Sequence, residues 1–367
     1  MEVLFHMPTK VIVGKGCIKN NAHLLSSLGQ NALIVTGVRS AKQCGALDDI
    51  TSILNAQGSA YAIYDKVMAN PTIECVYDGA EYAKSQGVDF VIAIGGGSPM
   101  DAAKAIALLA RQEIAPGQLF SGSYGSAVLP MAFVPTTAGT GSEVTPYAVL
   151  TNNKVQTKMS ISTPHIFPKV AFLDASYTMA LPIGNTINTA IDALSHAVEG
   201  MLTVRANPMS DMLALQSIEN IAACFDALQS EELTFELRER LLYASMLAGV
   251  VIAQTGTSVV HPMGYPLTYF KGVDHGRANG LLLGSFLSFV QEYKPQRIAQ
   301  ILDALNFSAV HELEEKLARL LGAKEQITAE EITRYADIAS KAKNVQNTCV
   351  ALGCEDIAAM YRTSFAV

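Results

Sequence analysis

Val91-Ile-Ala-Ile-Gly-Gly-Gly-Ser-Pro-Met-Asp-Ala-Ala-Lys-Ala-Ile-Ala107 joins an apolar run to three glycines and an alanine-rich segment. The run from Asp89 to Ile94 has the composition of a buried strand. Gly95, Gly96 and Gly97 carry no Cβ, so the backbone there can come close to a ligand. Ser98 is placed to cap the following helix, Pro99 fits its first turn, and Asp101 falls three residues after the cap. A helix starting at the C-terminal end of a strand presents free N–H groups and a positive dipole end, which suits a pyrophosphate. A ligand-free strand-to-helix turn has the same local signals, and the neighbouring segments decide between the two.

On both sides of this motif, short β-rich runs alternate with helical ones. Lys10–Val13, Asn31–Thr36, Ser59–Tyr64, Asp89–Ile94, Met131–Val134 and Val170–Leu173 read as strands. Ile18–Leu28, part of Ala41–Gln57, Ile73–Gln86 and Met100–Arg111 read as helices. Such alternation predicts a Rossmann-like α/β domain, a mainly parallel sheet with helices on both faces. After Leu181-Pro182 the β-rich runs stop. Thr186–Leu202, Pro208–Asp226, Thr234–Thr255, Ala278–Glu292, Pro295–Leu305, Val310–Leu321 and Ala329–Ala342 all read as helices. The expected division is an α/β domain over residues 1–180, which holds the glycine turn, and an all-helical domain over 181–367. An active site between the two is the natural expectation.

Composition narrows the function classes. With 367 residues, half of them apolar, the chain can bury two cores. A net charge of −7 and the absence of a Lys/Arg run argue against nucleic acid or an anionic membrane surface as partner. The opening Met-Glu-Val-Leu-Phe-His-Met-Pro lacks the basic and apolar regions of a signal peptide, and Leu241–Ala253 is too short to span a bilayer. Cys17, Cys44, Cys75, Cys224, Cys349 and Cys354 are scattered without CxxC spacing, as expected of free thiols in the cytoplasm.

The helical half holds a set of metal-ligand residue types. Asp192 and His196 are four apart in a helical segment and share a face. His261 and His275 lie in a stretch dense in Gly, Pro and aromatic residues, Ser258–Gly280. One carboxylate and three imidazoles suit Fe²⁺ or Zn²⁺, although Asp-x3-His alone is also common on solvated helix faces. In the first half, Pro135-Thr-Thr-Ala-Gly-Thr-Gly-Ser-Glu-Val144 follows a strand with a run of hydroxyls and glycines. That run suits ribose or phosphate contacts at a sheet edge, and by itself it also fits a polar surface loop.

Taken together, Gly-Gly-Gly-Ser-Pro-x-Asp, the Pro135–Val144 stretch, Asp192-x3-His196 and His261-x13-His275-Gly resemble the iron-dependent (group III) alcohol dehydrogenase family. The resemblance covers the chain in order and implies a dehydroquinate synthase-like architecture, with a homodimer as the expected assembly. It implies that the 1–180 domain binds a dinucleotide, with its pyrophosphate at Gly96, Gly97 and Ser98 beside Gly95, and that the 181–367 domain binds a metal through Asp192, His196, His261 and His275. It implies that Thr136, Thr137 and Thr140 line the cofactor, Lys158 reaches a ribose hydroxyl, and Asp101 holds the loop in shape. Asn70, in Asn70-Pro71-Thr72, matches a loop near the nicotinamide. The implied reaction moves a hydride between C4 of a nicotinamide and a small alcohol or aldehyde whose oxygen a divalent metal polarises.

Two positions depart from the family pattern. Tyr265 stands where many members have a further histidine, so it is expected to orient substrate or water instead of titrating. A wall residue packing against substrate would look the same, and Tyr147 and Phe270 are further wall candidates. After Ala32-Leu-Ile-Val-Thr36, NAD-preferring relatives often have Asp. Here Gly37 leaves room, and Arg39 and Ser40 can contact a 2′-phosphate, so NADP(H) is the expected preferred coenzyme, with NAD(H) as the alternative. A lyase on the same scaffold is disfavoured because no Lys or Arg lies between Met246 and Leu267 to hold a phosphorylated, carboxylated sugar acid. A non-catalytic nucleotide-binding protein would not need all four ligands. His6, His23, His165 and His311 lack ligand spacing and read as surface or packing residues.

Overall fold

Residues 3–366 are described by a computed structural model; the first two residues of the opening segment and Val367 lie outside it. The chain divides into two compact units, one spanning Met7–Leu181 and the other running from Pro182 onward together with the described residues before Met7. His6 joins the second unit, its backbone N–H donating to Gln254 Oε1 at 2.9 Å.

In the first unit the strands are β1 (Lys10–Val13), β2 (Asn31–Gly37), β3 (Ala60–Val67), β4 (Phe90–Gly95), β5 (Met131–Pro135), β6 (Tyr147–Asn152), β7 (Thr157–Ser162) and β8 (Val170–Leu173). Six form one parallel sheet in the order β1-β8-β5-β4-β2-β3. Helices cover both faces: Ile73–Ser85 and Gly97–Leu109 help build one apolar layer, and Ala46–Gln57 the other. That is why β4 is apolar throughout, with every residue buried. The chain leaves β2 toward β3 on one side and leaves β4 toward β5 on the other. Between β2 and β4 lies therefore the switch point of the sheet, where open α/β sheets bind their ligands.

Three expectations need correction here. Ser98 does not cap the helix after β4; the helix begins at Gly97, with Gly96 extended at the cap position and no side-chain cap. The glycine turn is short enough to put Ser98 inside the first turn, where its hydroxyl instead accepts from the Asn70 N–H at 3.1 Å. Asp101 accordingly forms no capping box. Its carboxylate accepts from the Ser142 hydroxyl at 2.7 Å and the Val149 N–H at 3.0 Å. Ile18–Leu28 is not one helix but two single turns, Cys17–Asn20 and His23–Ser26, broken where Asn21 takes a non-helical conformation.

Asp101 is part of a buried polar knot that ties the glycine turn to the 142–149 segment. Lys104 is fully buried, donating to Ser142 Oγ at 2.8 Å, Thr145 Oγ1 at 3.1 Å and the Tyr147 carbonyl at 2.7 Å. Burial pushes its ammonium down to about 8, against the pull of Asp101 and Glu143. Burial pushes the Glu143 carboxyl up to about 7, and its Oε1 has no hydrogen-bond partner.

The second unit is helical: Ile183–Met201, Pro208–Ala222, Phe225–Ser230, Phe235–Thr255, Val260–Lys271, His275–Gln291, Pro295–Leu305, Val310–Leu321, Ala329–Ser340 and Cys354–Phe365. Among the described residues no single helix is long and apolar enough to cross a membrane.

Glu143 supplies a pH test. A folded value near 7 against about 4.5 unfolded means its contribution is fully present below pH 4.5 and lost as pH rises through 7. The Glu143→Gln variant lacks that loss. Its melting temperature relative to wild type should climb between pH 4.5 and 8, by the equivalent of a few kcal/mol. A constant difference across that range would contradict the burial of an ionisable carboxyl.

Candidate metal and cofactor sites

The helix Ile183–Met201 carries Asp192, His196 and Glu199, all buried and at spacings of four and three residues, so on neighbouring positions of one face. Asp192 Oδ1 lies 3.9 Å from the Nε2 atoms of both His261 and His275. These three side chains form a group whose ligand atoms lie within 4.8 Å of one another. His196 joins through His261: their Nε2 atoms are 2.8 Å apart and their rings stack at 4.6 Å. Imidazole nitrogens converging at that distance, beside a carboxylate oxygen, are the ligand types of a transition-metal site. The residues present fit the metal.

What brings the helices so close is a missing side chain. A Cβ on Gly276 would stand 1.9 Å from the Asn188 carbonyl oxygen and 2.8 Å from the Asp192 Cβ. Four residues along the same helix, a Cβ on Gly280 would meet Ile191 at 2.5 Å. The two glycines let His275–Gln291 lie on Ile183–Met201, which sets His275 at the rim of the group. Asn279, fully buried one turn after His275, points its Nδ2 at Asp192 Oδ1, 3.0 Å away. The same atom lies 3.3 Å from His275 Nε2 and 3.4 Å from His261 Nε2.

His261 stands in the first turn of Val260–Lys271, a helix missing from the sequence-based reading of this Gly- and Pro-rich stretch. Pro262 falls in that first turn, where its missing N–H costs nothing. Pro266 lies inside the helix. The N-terminal donors of this helix converge on Glu199. Glu199 Oε1 accepts from the N–H groups of Ser258 at 2.9 Å, Val260 at 3.0 Å and His261 at 3.4 Å, and from the Ser258 hydroxyl at 2.9 Å. Its Oε2 pairs with His261 Nδ1. Burial pushes this carboxyl up, but the charge and hydrogen bond of His261, with the Ser258 and His196 contributions, hold it below the usual range. Tyr265 is half-buried and stacks on His275 at 5.5 Å, with ring planes 24° apart. Phe270 packs against Tyr335 at 5.6 Å and under the Arg334 guanidinium at 4.1 Å, so its ring is engaged in helix packing.

In the other unit the predicted cofactor residues gather at the C-terminal edge of the sheet. Gly37 ends β2, and Arg39 and Ser40 are exposed at the short helix Ser40–Gln43 just beyond. Thr36 and Ile94 pair across β2 and β4, so this loop and the glycine turn leave the sheet side by side. Gly96 and Gly97 are packed under hydroxyls: a Cβ would meet Thr137 Oγ1 at 3.0 Å and the Thr140 side chain at 2.7 Å. Thr136 continues the sheet, its N–H donating to the Gly95 carbonyl at 2.9 Å. Helical bonding starts with Met100 N–H to Gly96 O, which leaves the N–H groups of Gly97 and Ser98 outside the helical ladder. Asn70, left-handed at φ 56°, touches the turn through Ser98 and accepts from the Thr151 hydroxyl at 3.0 Å. Lys158 lies on β7, paired with Thr151 of β6, and its charge reaches Asp101.

Glu199, Asn279 and Lys104 escaped the sequence reading. The first two had a usable signal, since each lies one turn along its helix from a predicted ligand, His196 or His275.

Family models for iron-containing alcohol dehydrogenase match residues 8–175 and, for the C-terminal part, 186–365. Lactaldehyde reductase of Escherichia coli is 35% identical over 275 residues, covering 74% of this chain and 71% of its own. NADPH-dependent butanol dehydrogenase of Clostridium saccharobutylicum is 30% identical over 311 residues, 83% of this chain and 78% of its own. A solved iron-containing alcohol dehydrogenase from Thermotoga maritima superposes with a TM-score of 0.93 at 37% identity, covering 100% of both chains. The chain belongs to the iron-containing alcohol dehydrogenase family and has its dehydroquinate synthase-like fold. It is an NAD(P)-dependent oxidoreductase of alcohols and aldehydes.

Gly276→Ala tests the geometry. The added methyl must drive the two helices apart at Asn188, so zinc affinity should fall at least tenfold, measured by competition with a chromophoric chelator. Retained affinity would mean that the close approach is not what assembles the ligand group.

Proposed function

We propose that this enzyme reduces small aliphatic aldehydes with NADPH in preference to NADH, and oxidises the matching alcohols. We further propose that Asp192, His196, His261 and His275 hold one divalent metal, Fe²⁺ first and Zn²⁺ as the alternative. The observation that carries this reading is the approach of three imidazoles and one carboxylate within a buried helical layer. When bound, such a metal supplies Lewis-acid polarisation of the substrate oxygen.

The chain's own residues do the rest. Gly95, Gly96, Gly97 and Ser98 bind the cofactor pyrophosphate through backbone donors at a helix N-terminus. Thr136, Thr137, Thr140, Asn70 and Lys158 fix the ribose and nicotinamide, while Asp101 holds the turn against the 142–149 segment. Gly37, with Arg39 and Ser40 exposed beyond it, offers room and charge for a 2′-phosphate, and no carboxylate stands at the end of β2 to repel one. Tyr265, stacked on His275, orients the substrate oxygen or a water by a hydrogen bond and does not titrate in the working range. Free, scattered thiols support a cytoplasmic setting, and a homodimer is the proposed assembly.

The test is oxidation of NADPH and NADH by the metal-stripped protein with a panel of short aldehydes, before and after Fe²⁺ or Zn²⁺. Activity should appear only with metal, and kcat/KM should favour NADPH. Stoichiometric metal without turnover of any aldehyde would defeat the reading, and a strong NADH preference would defeat the role of Arg39. Tyr265→Phe should lower kcat/KM roughly five- to tenfold, the worth of one hydrogen bond, without moving the pH profile. An unchanged rate would remove Tyr265 from the mechanism.

A further inference from the structure

Glu199 is wholly buried and no part of the proposed chemistry uses it. Its two oxygens face different kinds of neighbour. Oε1 meets the N–H groups of Ser258, Val260 and His261 and the Ser258 hydroxyl, and backbone N–H groups can only donate. Oε2 meets the Nδ1 of His261. A carboxylate is acceptor-only, so the hydrogen between them belongs to His261 Nδ1. In the neutral ring the lone pair is then on Nε2, the atom turned toward His196, Asp192 and Asn279.

We infer that Glu199 is a positioning residue that commits His261 to the metal-binding tautomer, using the start of the helix Val260–Lys271 to lock its own orientation. The inference rests on the reading of His261 as a ligand. It makes a sharp distinction between a carboxylate and its amide. A glutamine at 199 has to turn its carbonyl oxygen to the backbone donors, because an NH₂ group there would face three N–H groups. Its NH₂ then points at His261 Nδ1, which becomes the acceptor, and the ring hydrogen moves to Nε2. The side chain keeps its size and its hydrogen bonds, but His261 presents N–H where a ligand must present a lone pair. An orienting partner of this kind is worth 10- to 100-fold in metal affinity.

The experiment combines ¹⁵N-histidine NMR of the metal-free protein with zinc titration against a chromophoric chelator, on wild type and Glu199→Gln. The His261 signals are assigned by their loss in His261→Gln. Wild type should carry the His261 hydrogen on Nδ1 and bind one Zn²⁺. Glu199→Gln should carry it on Nε2 and bind Zn²⁺ 10- to 100-fold more weakly, with a metal-free melting temperature close to wild type. Glu199→Asp, still acceptor-only, should keep the hydrogen on Nδ1.

Equal zinc affinity in wild type and Glu199→Gln would overturn the inference while leaving His261 as a ligand. Should the variant not fold, a wild-type His261 hydrogen found on Nε2 would overturn it by itself. A wild type that binds no stoichiometric zinc would overturn the ligand reading, and this inference with it.

Discussion

Everything in the helical unit depends on two helix backbones coming closer than side chains permit. Gly276 sits against the Asn188 carbonyl and Gly280 against Ile191, so His275 arrives at Asp192 with no methyl between the helices. A third helix reaches the same point because Glu199, from the first, gathers its N-terminal donors. Donors that would each be costly to bury alone therefore support one another. Asp192 is held by Asn279, and His261 by Glu199. Asp192 and His261 are thus oriented by buried polar partners before any metal arrives.

In the α/β unit the corresponding constraint is Lys104. Its ammonium, fully buried, spends all its hydrogen bonds on Ser142, Thr145 and the Tyr147 carbonyl, while Asp101 from the preceding turn binds Ser142 and Val149. The glycine turn is thereby clamped to the hydroxyl-rich segment that packs over it. Gly96 and Gly97 are needed there for closeness to Thr137 and Thr140 as much as for closeness to a ligand.

Much of this was legible in the sequence, for identifiable reasons. The inner strands of the parallel sheet, β2, β4, β5 and β8, are buried on both faces, so Asn31–Gly37 and Phe90–Gly95 stand out as apolar runs. The hairpin of β6 and β7 did not: Thr157, Lys158 and Ser160 make its second strand polar and largely unburied. The helix Val260–Lys271 was hidden by Pro262, Gly264 and Pro266, residues that ordinarily end helices. Tertiary packing overrides that preference here, since Gly264 lies where a Cβ would strike Asn279 at 2.2 Å. Likewise the Asp192, His196, His261 and His275 set was visible as residue types at suggestive spacings. The buried partners that aim two of those side chains, Glu199 and Asn279, went unread despite lying one turn from His196 and His275, because Glu and Asn ordinarily sit at the surface.

The most direct test of the four-ligand centre is a crystal structure of the zinc- or iron-loaded protein with anomalous data at the metal edge. A single peak bound by the Asp192 carboxylate and the Nε2 atoms of His196, His261 and His275 is the predicted result. A metal bound by fewer of these, above all one that leaves out His196 or His261, would contradict it.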